Sequence, residues 1–124
     1  MGRSGRALLI EEGKMSSKEK RWEPVIRGFD HMLHGGDYNP DQWLHEPAVI
    51  DDDFRLMPKA GYNIVSLGIF AWASLEPEEG KYTFEWLDDI MDRVAKAGMK
   101  AALATPSGAK PVWMSEKYPE IRFR

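Results

Sequence analysis

HGGDYNPDQW, residues 34–43, reads as a strand that opens into a loop. Gly35 and Gly36 permit backbone geometries and close approaches closed to other residues. Asn39-Pro40 is a turn signal, because Asn tolerates unusual dihedrals and Pro fixes its own. Asp37, Tyr38, Asn39, Asp41, Gln42 and Trp43 crowd polar and amphipathic side chains into the same place. A strand mouth dressed in this way suits a ligand rich in hydroxyl groups. The stretch fits a decorated surface turn equally well.

Outward from this stretch the chain alternates strands and helices. Residues 31–37 are expected to form the first core strand. Glu46-Pro47 starts a helix, since Pro suits the first helical position. Ile50, Phe54 and Met57 fall on one face of it, with Asp51, Asp52, Asp53 and Arg55 largely on the other. Adjacent helical positions diverge in direction, so the acidic run reads as a solvated face rather than a metal cluster. Pro58 ends or kinks this helix, and Gly61 closes it. Residues 62–70, YNIVSLGIF, form a second strand, apolar enough to be covered on both faces. Glu76-Pro77 and Glu79-Gly80 mark the following AWASLEPEEGKY as loop. A second helix spans residues 84–97, with Leu87, Ile90, Met91 and Val94 at helical spacing and Gly98 as its stop. Residues 100–104 form a third strand. TPSGAKP is a further loop, and Pro111 opens a possible short helix.

Alternating strands and helices imply an α/β class with a parallel sheet and right-handed crossovers. Functional-looking residues follow the strand ends, where such folds bind ligands. No G-x-G-x-x-G or P-loop pattern joins a strand to a helix, which removes the dinucleotide and phosphate-cradle readings.

Composition supports a globular domain. The 124 residues carry a formal net charge of −3, with 43% hydrophobic and 30% charged residues. Mild acidity gives no reason to expect nucleic acid as a partner. No apolar run approaches the length of about 18 residues that a membrane span needs. The apolar tetrapeptide at residues 7–10 is too short for the core of a secretory signal, and a cytoplasmic location is expected. Residues 1–21 are mostly charged, Gly and Ser, and are expected to be a disordered extension, with Met15 as a natural start. The chain has no cysteine, which removes disulfides and thiolate metal sites. His31, His34 and His45 do not form a metal set, because His31 and His34 point to different faces of a strand. No cofactor is expected.

Three segments carry a resemblance: HGGDYNPDQW, LGIFAWASLEPEEGKYTFEWLD and ATPSGAKPVWMSEKYPEI. In order and spacing they resemble the N-terminal part of glycoside hydrolase family 42 β-galactosidases, over residues 22–121. The resemblance implies that residues 22–124 are the first three or so βα units of an incomplete (β/α)8 TIM barrel, within a longer polypeptide. It further implies a retaining hydrolase of terminal β-D-galactosyl residues that assembles as a homotrimer. A complete barrel takes about 250 residues.

Retaining glycosidases use two carboxyl groups about 5–5.5 Å apart. By the resemblance, the acid/base is a Glu after an Asn at the fourth strand end, and the nucleophile is a Glu at the seventh. No Asn-Glu pair occurs in this chain, so it is expected to lack both catalytic carboxylates and to be inactive alone. Glu76 reads as a loop or surface residue and Asp37 as a substrate hydrogen-bonding group. The resemblance assigns substrate contacts to Asp37, Tyr38, Phe70, Trp72 and Thr105, with the loop that runs to Gly108. Trp72 offers a platform for a sugar face, or alternatively packs beneath its loop. Trp86 and Trp113 lie in helical pieces and read as packing residues. Ser66 stands where part of the family has a galactose-binding Arg. Val65, Leu67, Ile69 and Leu103 are expected to face the barrel interior. A stand-alone, non-catalytic carbohydrate-binding or pseudoenzyme remnant is the alternative to the enzyme-fragment reading.

Overall fold

The computed structural model describes residues 23–122. The expected extension at residues 1–21 lies outside that range. The chain divides into two units between His31 and Met32. In the first, Ile26 and Phe29 close a small turn around Gly28 at φ +75°, and the Phe29 and His31 rings meet edge to face at 5.5 Å.

The second unit holds three parallel strands in the order β1-β2-β3: β1 Gly35–Tyr38, β2 Ile64–Leu67 and β3 Lys100–Leu103. Helix α1 (Pro47–Leu56) connects β1 to β2. Helices α2 (Trp72–Leu75) and α3 (Glu85–Lys96) lie between β2 and β3, and α4 (Val112–Lys117) follows β3. This is the strand–helix alternation of a partial βα barrel.

The first strand starts later than its sequence predicts, because a side chain takes over the pairing. Asn63 Nδ2 donates to Met32 O at 2.8 Å, and its Oδ1 accepts from His34 N at 2.8 Å. An amide side chain thus supplies what the neighbouring strand would have supplied. The second strand stops early at Gly68, whose φ of +86° suits glycine. The chain then enters α2, a single turn inside the segment expected to be loop. Part of the opening motif, Pro40–Trp43, is likewise a 3-10 turn.

The helices follow their predicted faces. Ile50 and Met57 of the α1 region are buried with Ile90 and Val94 of α3, around Val65 and Leu67. On the outside, Arg93 reaches Asp51 on α1 at 2.6 Å and Asp89 at 2.8 Å, while Arg55 pairs with Asp52 at 3.0 Å. Asp51 and Asp52 of the acidic run are therefore an ion-paired helix surface, while Asp53 turns toward Tyr38.

The sheet faces correct the sequence reading. Val65 and Leu67 are both 0% exposed, and they pack into the helix layer rather than the barrel interior. Strand side chains alternate. Asp37, Ser66 and Ala102, which stand in register across the three strands, therefore occupy the opposite face. Leu103 shares the register position of Leu67, yet it is 56% exposed at the sheet edge. Gly35 is required by a close approach: a methyl group there would stand 1.7 Å from Ile64 O. A methyl at Gly36 meets nothing nearer than Tyr62 Oη at 3.6 Å.

Candidate functional site at the strand ends

Asp37 is exposed on the interior face of β1, in register with Ser66. Its neighbour Tyr38 turns the other way. The Tyr38 ring packs edge to face on Phe54 at 5.8 Å, against the core of the helix layer. Its hydroxyl is buried and makes no hydrogen bond within normal geometry. Burial, and then the nearby Asp53 carboxylate, push its pKa well above the ordinary tyrosine value. Asn39, Gln42, Asp53 and Tyr62 join these two residues around an open cleft of about 290 Å³.

The ends of β2 and β3 are tied together. Ala104 N donates to Leu67 O at 2.9 Å, and Gly108 N donates to Ile69 O at 3.1 Å. Gly108 lies flat against Phe70, so a methyl there would come within 3.0 Å of the ring. The Thr105–Gly108 loop and Phe70 are thus brought together. Phe70 is 46% exposed and Thr105 is also exposed, while Trp72 is half-buried.

Glu76 organises the loop between them. It is only 8% exposed. Its Oε2 accepts from Trp72 Nε1 and its Oε1 from Gly80 N, each at 2.8 Å. Its main-chain O accepts from Trp113 Nε1 at 2.9 Å. Trp86 Nε1 donates to Ser74 O at 3.1 Å, and Thr83 Oγ1 donates to the same carbonyl at 2.7 Å. The Gly80 N–H, followed by the Trp72 indole, holds the Glu76 carboxyl below the usual glutamate range. Because the folded pKa is depressed, the stability this carboxylate contributes is present at neutral pH. It is lost as pH falls through the folded value. Sequence reading offered Glu76 as loop structure or surface charge, and the burial of Glu76 corrects the surface option. It missed the bond from Trp113, which lies 37 positions away and has no local signature. The four-residue spacing of Trp72 and Glu76 was the available signal for the other bond.

Chemically, the assembled groups are aromatic faces, hydroxyls and the exposed carboxylate of Asp37. The Glu76 carboxylate already accepts on both oxygens and is committed to the loop. Among the described residues no group of three or more His, Asp or Glu could hold a metal ion, and no helix is long and apolar enough to cross a membrane.

A parallel sheet backed by helices, with loops bearing aromatic side chains at its carboxyl ends, is the architecture of part of a (β/α)8-type barrel. Comparison with known proteins specifies it further. The glycoside hydrolase family 42 model, described as beta-galactosidase, matches residues 37–124. Beta-galactosidase BglY of Alicyclobacillus acidocaldarius is 60% identical over 98 residues, which are 79% of this chain and 14% of that protein. Beta-galactosidase GanA of Bacillus subtilis is 60% identical over 90 residues, 73% of this chain and 13% of that protein. The crystal structure of the cold-adapted beta-galactosidase from Rahnella sp. R3 superposes with a TM-score of 0.74 at 50% identity, covering 77% of this chain and 14% of that one. The chain belongs to glycoside hydrolase family 42. It spans about one seventh of the length of the curated relatives it matches.

Proposed function

We propose that this chain forms the N-terminal side of the galactose pocket in a retaining β-galactosidase that hydrolyses terminal non-reducing β-D-galactosyl residues. The observation that carries this reading is the meeting of Phe70 with the Thr105–Gly108 loop at the ends of adjacent parallel strands. In this reading Asp37 binds a sugar hydroxyl, Trp72 and Phe70 present apolar surface to the ring, and Thr105 lines the rim. Tyr38 acts from the helix layer, fixing the turn that follows Asp37. Residues 22–124 supply the first βα units, residues 1–21 are an extension without a catalytic part, and the two catalytic carboxyls come from later strands. The family resemblance supports a cytoplasmic homotrimer as the working assembly.

The test is a fusion in which this whole chain replaces the matched segment of the Alicyclobacillus relative. The fusion is expected to hydrolyse a chromogenic β-galactoside. Trp72→Ala is expected to raise KM about 5- to 30-fold, the loss of one aromatic contact surface. An unchanged KM in that variant would remove Trp72 from the pocket.

The same fusion tests the sheet. Gly35→Ala is expected to cost about 3 kcal/mol, because its methyl has to part β1 from β2. Gly36→Ala is expected to be neutral, or stabilising by up to about 1 kcal/mol. Urea midpoints measure both, and equal midpoints would contradict the close approach at Gly35.

A further inference from the structure

We propose that Glu76 is a positioning residue for sugar binding: its buried carboxylate clamps the Trp72 indole in the orientation that offers a ring face to the substrate. The proposal rests on the reading of Trp72 given above and adds the group that aims it. Tryptophan has a single N–H donor and no acceptor. In Trp72 that donor is spent on Glu76 Oε2 at 2.8 Å. The indole therefore has no hydrogen bond left for a sugar hydroxyl, and its contribution to recognition is its face.

The clamp is rigid for a stated reason. Glu76 Oε1 is held at the same time by Gly80 N, so the carboxylate is fixed from both sides. Both bonds are charge-assisted, the stronger kind. The main chain of Glu76 is held in turn by the Trp113 indole, which ties the loop after β2 to the helix after β3. Trp72, half-buried on a single-turn helix, gains from this carboxylate an orientation that so short a helix does not impose.

Glu76→Gln makes the point testable, because an amide presents one acceptor oxygen to two N–H donors. In the fusion enzyme this variant is expected to raise KM about tenfold, the loss of one charge-assisted hydrogen bond, with kcat changed less than about threefold. In spectra of 15N-Trp-labelled protein, the Trp72 indole N–H resonance is expected to move. That of Trp113, bonded to the main-chain carbonyl, is expected to stay. Trp72→Phe keeps an aromatic face without the donor, and the double variant is expected to be no worse than the worse single variant. A fall in kcat at constant KM, an unmoved Trp72 resonance, or additive effects in the double variant would overturn the proposal. If Glu76→Gln does not fold, Trp72→Phe alone decides: a KM equal to that of the unaltered fusion overturns the clamp. If Trp72→Ala leaves KM unchanged while the Trp72 resonance still moves in Glu76→Gln, the sugar-platform reading fails and the clamp survives only as loop structure.

Discussion

Purified by itself and given a chromogenic β-galactoside, the 124-residue chain is expected to release no product above buffer. The reason is chemical. Retaining hydrolysis needs one carboxyl to protonate the leaving oxygen and a second to attack the anomeric carbon, about 5–5.5 Å away. The carboxylate of Glu76 is buried and bonded at both oxygens. Asp37 stands on the interior face of β1 beside Ser66 and Ala102, neither of which carries a carboxyl group. Without the pair, the rate is expected to fall at least about a millionfold below that of a complete enzyme. The assay compares the chain with the fusion enzyme at equal concentration. Turnover that survives removal of trace host enzyme, and disappears in Asp37→Ala or Glu76→Ala, would show that the chemistry resides in this segment.

The second large effect concerns the state of the isolated chain. Both β1 and β3 present an outer edge in the described sheet, and each edge exposes backbone donors and acceptors that invite pairing. Leu103, Val112 and Phe70 are 56%, 72% and 46% exposed. Each Å² of apolar surface left in water forgoes about 25 cal/mol, against a total stability of about 5–15 kcal/mol for an ordinary domain. The isolated chain is therefore expected to elute from gel filtration as associated species and to melt without a sharp transition. The fusion, which covers those edges, is expected to melt cooperatively. A monomeric chain with a sharp thermal transition by circular dichroism would contradict this.

Much of the architecture is legible in local patterns. The Leu87, Ile90 and Val94 spacing marks α3 because burial of one helix face follows the helical period. Gly61 and Gly98 mark stops because both adopt positive φ. Other features depend on partners that a local window does not contain. The apolar run around Val65 and Leu67 reads as a strand, but its composition leaves open which set of alternating side chains faces the helices. Strand β1 starts late because the Asn63 side chain reaches back across 31 positions to Met32 O. Helix α2 is four residues long and is followed by Glu76-Pro77, so its turn signals outweigh its helical ones. At the site, the family resemblance offered Asp37, Tyr38, Phe70, Trp72 and Thr105. The structure sets Phe70 against the Thr105–Gly108 loop and turns Tyr38 toward Phe54 in the helix layer, an orientation no local pattern specifies. The Trp113 bond to Glu76 is long-range and left no trace in spacing.

The ties between the loop after β2 and the segment after β3 bear on how such barrels exchange parts. Trp113 reaches back to Glu76 O at 2.9 Å, Tyr118 Oη donates to Glu79 Oε1 at 2.8 Å, and Lys117 pairs with the same Glu79 carboxylate. A recombination crossover placed between Glu79 and β3 would pair one parent's loop with another parent's helix and expose all three links to mismatch at once. Crossovers that keep residues 64–122 from one parent preserve them. For shuffled libraries of this family, the heritable block runs from the loop after β2 through the helix after β3, and a junction inside it is the one to avoid.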